Sequence, residues 1–229
     1  MSGDLYITLL TSLPYHGELF GEQQTPISRI QLESRLRLLE PEDAVTLDAI
    51  EQLIRWANHS LDEDDAAVAA QTQRLLEGEI CSWLQQLIAY RMEIRTLMAA
   101  LRRRRRGEGP PERPSGWGVG RWQRRIHANW SEPGFRLEGV FPWVLEANRL
   151  MQEEDHLGLE RLLLGVTWRA LERFGEGHYF DFEAVVVYVL RWGIIDRWSC
   201  YHGKAAVARF ESLVEQALAG QRLEFVGDG

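Results

Sequence analysis

Three side chains that can ligate a metal ion lie close together in the segment Gly-His-Tyr-Phe-Asp-Phe-Glu. They are His178, Asp181 and Glu183, and imidazole and carboxylate groups are ligands of zinc. On a helix, however, Asp181 and Glu183 would sit about 200° apart, which is poor convergence on one ion. The pattern favours a loop that leads into a helix capped by Asp181, with His178 packed beside it. We therefore predict no metal site here.

No other group of residues in the sequence indicates catalysis. Cys200 and His202 form a loose pair that lacks two further ligands. The acidic clusters 62–65 and 153–155 lie where predicted helices begin or end, which favours solvated charges over paired catalytic carboxylates. The glycines of 116–120 follow a proline-rich loop and not a strand, so a linker is favoured over a dinucleotide-binding loop. We predict a protein that is not an enzyme, with no catalytic residue and no cofactor.

The strongest local charge feature is an arginine cluster at residues 102–125. This segment contains nine arginines and only two acids, Glu108 and Glu112, which gives it a charge of +7 in a chain of net charge −8. The cluster could be a solvated helix end and loop, a contact for an acidic protein or lipid headgroups, or a nucleic-acid site with Trp117 and Trp122 as stacking residues. The negative net charge argues against nucleic acid, and we predict no nucleic-acid partner.

The composition is that of a globular protein. The chain has 229 residues, of which 45% are hydrophobic and 26% are charged, so it can form one large domain or two small ones. Two cysteines fit a reducing compartment. The most apolar stretch, 182–195, contains Glu183 and Arg191 and is shorter than the roughly 20 apolar residues that a membrane span needs. With an acid near its start and no signal-peptide pattern, the chain is expected to be cytoplasmic.

Apolar residues recur mainly at helical spacing. The short apolar run Leu5–Leu13 could be extended or helical. Ile30 and Val45 are predicted on the inward faces of the first two helices that follow it. A short segment is expected at 121–130, and the predicted helices lie near 25–39, 41–57, 66–76, 80–106, 142–154, 156–175, 182–190 and 203–219.

Residues 107–120 contain eight glycines and prolines and cannot continue a helix. They divide the chain into an N-terminal helical half, 1–106, and a C-terminal helical half, 121–229. Helices joined by short loops pack as antiparallel neighbours. We therefore predict an all-α fold, an antiparallel helical bundle in two halves joined by a Gly/Pro/Arg-rich loop, with a short apolar N-terminal segment.

Two segments resemble the subunit of V/A-type ATPases that is called C or d. Tyr90–Gly107 resembles that family's conserved helix, with its acid, apolar positions, arginine, basic residue and glycine. Phe180–Trp198 is similar to its apolar helix and the alternation of aliphatic and charged residues that follows. The longer subunit is built from three similar helical parts, and this chain has room for about two.

The chain is more similar to a shorter bacterial family encoded beside V/A-type ATPase genes. Members begin with an apolar, Tyr-rich run and Ser-Leu-Pro, as in Tyr6–Pro14 here. They also carry a His-Tyr/Phe-Phe-Asp segment before a Tyr-Leu helix, an Arg-Trp pair and a Gly-Lys…Phe…Leu-Val end. In this chain those motifs are His178–Asp181 with Tyr188, Arg197-Trp198, and residues 203–214.

The resemblance implies a non-catalytic adaptor subunit of a V/A-type rotary ATPase. Such a subunit links the central shaft to the membrane rotor ring, so its partners are the shaft subunits and the ring. The location is then peripheral, on the cytoplasmic face, with membrane contact only through partners. The predicted interface is Arg102, Arg103, Arg104, Arg105, Arg106, Trp117 and Trp122. The alternative is a helical assembly chaperone or accessory factor for a membrane complex.

Overall fold

The computed structural model describes residues 2–21, 24–56, 72 and 80–200, and this part of the chain contains eight helices and no strand. The predicted all-α class and the bundle packing of the helices are confirmed. The predicted helices at 66–76 and 203–219 lie outside the described residues, Thr72 apart. The helices are α1 (Ser2–Ser12), α2 (Arg29–Leu36), α3 (Pro41–Trp56), α4 (Ser82–Arg105), α5 (Gln123–Ala128), α6 (Val144–Gln152), α7 (His156–Gly175) and α8 (182–200).

Short polar side chains and proline define where several helices begin. Ser28 caps α2 in a capping box with Gln31, so this helix begins later than Thr25-Pro26 suggested. Pro41 is the first residue of α3, as predicted. Asp155 caps α7 and Asp181 caps α8, each accepting a backbone N–H three residues on.

Two predicted inward residues are in fact exposed. Ile30 is 79% exposed and Val45 is 71% exposed, so their predicted inward placement was wrong. The buried face of α2 contains Leu32, and that of α3 contains Leu47. Each wrongly placed residue lies two positions before its buried neighbour, about 200° around the helix, and therefore points away from the core. The apolar segment near the N-terminus, left open between extended and helical, is helix α1.

Helix α4 contributes to two hydrophobic cores. Ile88 and Met92 lie in a first core with buried residues of α1, α3, α7 and α8. Leu97 and Leu101 lie in a second core with residues of α5, α6 and the segment that connects them. The first core therefore combines helices from both sides of the 107–120 loop.

The end of that loop packs closely on α4. The Thr96 hydroxyl donates a hydrogen bond to the Val119 carbonyl and accepts one from the Val119 N–H, both at 2.9 Å. A Cβ at Gly118 would lie 2.7 Å from the Thr96 methyl carbon, so this approach requires glycine. Among the described helices, none is long and apolar enough to cross a membrane.

Arg91 of α4 is half-buried against α7, without an acidic partner among the described residues. Its Nη1 donates to the Thr167 hydroxyl, while its Nε has no hydrogen-bond partner. Burial lowers the pKa of Arg91 to about 10, the charge of Tyr90 acts in the opposite direction, and the like charge of Arg197 lowers it further. The guanidinium is thus desolvated without an ion pair to compensate.

Replacing this arginine by an apolar side chain should stabilise the fold. We expect the double variant Arg91→Met/Thr167→Val to gain about 1 kcal/mol in the free energy of unfolding, because it removes both partners of a half-buried polar contact. Urea titration followed by circular dichroism measures this. The matched control Arg197→Met leaves Glu160 without its ion pair and should lose stability. A double variant less stable than the parent chain would contradict the expectation.

Candidate interaction surface

Arg104, in the last turn of α4, fastens the loop between α5 and α6. Its Nη1 donates to the carbonyl oxygens of Trp130, at 3.3 Å, and Glu132. Its Nη2 donates to the Pro133 carbonyl at 2.7 Å and to Asn148 Oδ1 at 2.8 Å. The planar fork of arginine suits several acceptors at once. Arg104 is therefore occupied by contacts within the chain.

The loop that Arg104 holds has an unusual backbone. Phe135 and Arg136 both have positive φ angles, 54° and 55°, a conformation that non-glycine residues rarely adopt. Phe135 is fully buried, and the guanidinium carbon of Arg104 lies 4.5 Å from the centre of its ring. Burial lowers the pKa of Arg104. The arginine thus stabilises a strained turn through hydrogen bonds and a cation–π contact.

The neighbours of Arg104 form ion pairs near the surface. Arg103 and Arg106 both pair with Glu108, at 3.0 and 2.5 Å, and hydrogen bonds from Arg106 first and Arg103 second lower the pKa of that carboxyl group. Arg105 pairs with Glu154 at 2.7 Å. Exposed pairs of this kind contribute little stability and can exchange for contacts with a partner.

Trp117 and Trp122 are half-buried and pack against the second core. The Trp122 ring meets Phe141 edge-on at 6.2 Å, and the Arg121 guanidinium lies 4.9 Å from the Trp122 ring. Desolvation raises the pKa of Glu93, opposed by smaller contributions from Arg121 and Trp122. Both tryptophans therefore support the fold, and only part of each ring is available for a contact.

The exposed cations of the cluster form what we call the arginine surface. It extends from the end of α4 over the loop to α5, and its exposed members are Arg105, Arg106, Arg113, Arg121, Arg124 and Arg125. Five of the seven predicted interface residues, Arg102, Arg103, Arg104, Trp117 and Trp122, are only half-exposed. The chemistry that the surface offers is attraction of anionic groups, not bond making or breaking.

A second cluster lies at the N-terminus of α8. The ligand atoms of His178, Asp181 and Glu183 all lie within 4.8 Å of one another, and these three form the one such group of potential metal ligands among the described residues. The predicted helix cap at Asp181 is confirmed, and because Asp181 lies before the first turn, its side chain does not diverge from Glu183 as two helical positions would. His178 Nδ1 lies 2.7 Å from Asp181 Oδ2.

The structure adds a residue that the sequence reasoning missed. Cys81 precedes α4, and its Sγ lies 3.4 Å from Glu183 Oε1 across 102 positions of sequence. No local motif could have revealed this contact. Cys200, considered with His202, is an exposed residue of α8, and His202 lies outside the described residues.

The chain was compared with protein-family models, curated proteins and solved structures. No family model, no curated protein and no solved structure matches it. The resemblance to V/A-type ATPase components therefore depends on the motifs quoted for it. What the arginine surface and the cluster at the N-terminus of α8 could bind is inferred from the positions of their side chains.

Proposed function

We propose that the protein is a non-catalytic adaptor subunit of a V/A-type rotary ATPase that links the central shaft to the membrane rotor ring. The observation that carries the proposal is a contact between two motifs of the resemblance. The Tyr188 hydroxyl donates a hydrogen bond of 2.9 Å to the Pro14 carbonyl, across 174 positions of sequence. Leu13 and Tyr188 also pack against the same small apolar cluster.

Further residues of the resemblance are packing residues as well. Trp198 meets Phe20 edge-on at 4.9 Å, and Arg197 forms an ion pair with Glu160. A resemblance carried by residues that hold distant parts of the chain together supports a shared fold more than a shared reaction. An adaptor fits this pattern because its task needs shape and interfaces without a reactive site.

The shape of α4 suits a subunit that transmits force. The helix has 24 residues, about 36 Å at 1.5 Å per residue, and both cores pack along it. A long helix that packs against hydrophobic cores along its length resists bending. In the proposal the bundle is antiparallel, with halves 1–106 and 121–229 joined by 107–120, and the protein lies on the cytoplasmic face of the complex.

The arginine surface is the proposed contact with an acidic partner subunit. Its exposed guanidiniums can form bidentate hydrogen bonds with carboxylates. Arg104 takes no part in this contact because its hydrogen bonds are used inside the chain. The proposed interface therefore includes the exposed arginines and the exposed edges of Trp117 and Trp122, while Arg104 supports the loop between α5 and α6.

Co-purification tests this proposal. The chain is co-expressed with the rotary ATPase of its own source, the complex is purified in mild detergent, and each subunit is quantified by mass spectrometry. We expect one copy of the chain per complex. Changing Arg105, Arg106, Arg121, Arg124 and Arg125 together to serine should remove most of the chain from the complex and uncouple ATP hydrolysis from ion movement.

The matched control is Arg136→Ser/Arg149→Ser, which removes two exposed arginines outside the surface. It should remain in the complex at full occupancy, and both variants should unfold at the temperature of the parent chain. Retention of the five-site variant would place the interface elsewhere. Absence of the parent chain from the mature complex would overturn the adaptor function in favour of an assembly chaperone.

A further inference from the structure

We propose that the cluster at the start of α8, together with Cys81, is a binding site for a divalent transition-metal ion, with Zn²⁺ as the best match. The ligands are one imidazole, two carboxylates and one thiolate: His178, Asp181, Glu183 and Cys81. Mixed nitrogen, oxygen and sulfur donors suit zinc, while calcium and magnesium take oxygen ligands. The proposed site is independent of the adaptor function.

The distances bring three donors together around one position, with Cys81 beside one of the three. Zinc binds nitrogen and oxygen at about 2.0–2.2 Å and sulfur at about 2.3 Å, which separates tetrahedral ligand atoms by roughly 3.3–3.8 Å. The three α8 ligand atoms lie within 4.8 Å of one another, and Cys81 Sγ lies 3.4 Å from Glu183 Oε1. Cys81 Sγ lies outside the group of atoms within 4.8 Å of one another, and rotation of its side chain past Glu183 would bring this fourth donor to the ion. The ion would replace the proton between His178 Nδ1 and Asp181 Oδ2.

The charges around the cluster favour a cation. Among the described residues, no arginine or lysine pairs with Asp181 or Glu183, whereas Glu108 and Glu160 each pair with arginine. Within the part of the chain that the structure describes, these two neighbouring acids have no basic partner, which leaves room for another positive charge. Cation binding offsets the repulsion between such acids.

The environment of Tyr6 shows that the acidic region is larger than these two carboxylates. Burial raises the pKa of Tyr6, as do its hydrogen bond to Asp43 and the charges of Asp43, Glu40 and Glu183. Acids from α3 and the residue before it thus act on the same phenol as Glu183. Their combined negative potential also attracts a cation.

Hydrogen bonding and ring packing hold two of the donors in place. Asp181 Oδ1 accepts the Ala184 N–H at 2.9 Å, which leaves Oδ2 directed at His178. The His178 ring packs edge-on against Trp83 at 5.1 Å. Cys81 is the N-cap residue of α4, but its sulfur makes no capping hydrogen bond. A metal at this position would connect the first turns of α4 and α8.

Titration of the metal-free full-length protein tests the site. We expect isothermal titration with ZnCl₂ to give one ion per chain with a micromolar or lower Kd. Co²⁺ should give an absorption spectrum with a thiolate charge-transfer band, and Cys81→Ser should abolish that band. His178→Gln and Glu183→Gln should each weaken Zn²⁺ binding roughly 100-fold or more, because loss of supporting residues alone costs 10–100-fold.

Two control variants distinguish this site from other donors. His156→Gln alters a histidine that follows the acids 153–155, and Cys200→Ser removes the other described thiol. Both should bind Zn²⁺ like the parent chain. Circular dichroism should show unchanged helix content in every variant. The proposal fails if the parent chain shows no saturable binding, or if His178→Gln and Glu183→Gln bind as tightly as the parent.

Discussion

Unfolding of the Arg104→Ala variant should require about 3 kcal/mol less free energy than unfolding of the parent chain. The side chain donates to three backbone carbonyls and to Asn148 and covers the buried Phe135 ring. Removal of this side chain leaves partly buried acceptors without donors. The substitution also removes the support of a strained turn in which two residues have positive φ. Guanidinium titration followed by tryptophan fluorescence measures the loss.

Two further variants identify the cause of that loss. Arg104→Lys keeps the positive charge but not the planar fork, so it should recover less than half of the lost stability. Arg106→Ala removes an exposed arginine that pairs only with Glu108 among the described residues and should cost much less stability than Arg104→Ala, because exposed ion pairs contribute little. Equal losses for Arg104→Ala and Arg106→Ala would show that the hydrogen bonds of Arg104 to the loop between α5 and α6 do not contribute to stability.

Acidification from pH 7 to pH 5 should destabilise the protein by about 2 kcal/mol through His16 alone. The ring is buried, lies 4.0 Å from the Tyr188 ring and 6.2 Å from the Trp168 ring, and its Nε2 has no hydrogen-bond partner among the described residues. Burial first, and the charge of Arg191 second, lower the pKa of His16 from 6.5 to about 3.

The sign of the effect follows from proton binding. Between pH 6.5 and pH 3 the unfolded chain holds a proton on His16 that the folded chain does not hold, so stability falls as the pH falls through this window. His16→Phe keeps an aromatic ring beside Tyr188 and removes the titration. Its stability should change less between pH 7 and pH 5, measured by urea titration at each pH. Parallel pH dependences for the two proteins would rule out His16 as the source.

Much of the fold could be predicted from local patterns. Pro41, Asp155 and Asp181 marked helix starts because their backbone and side-chain preferences act over a few residues. Ile30 and Val45 were placed on the wrong faces because more than one set of apolar residues in each segment fits helical spacing. Spacing alone does not show which set is buried, since this depends on how the helix packs against its neighbours.

The site residues show a similar limit. The arginine cluster was evident as a run of like charges, but the burial of Arg104 depends on a turn that lies 26 to 31 residues further along the chain. The contact of Cys81 with Glu183 depends on the relative position of α4 and α8. Such contacts follow from tertiary packing, which local spacing does not encode.

The shared helix α4 also affects how the protein opens to solvent. Along α4, the buried hydrophobic residues up to Met92 belong to the first core, and those beyond Met92 belong to the second core. The amides in the middle of the helix therefore lie where the two cores adjoin. Local fraying of a single core exposes only part of the helix. We therefore expect hydrogen exchange at its centre to require separation of both cores, so that the two cores open as one cooperative unit.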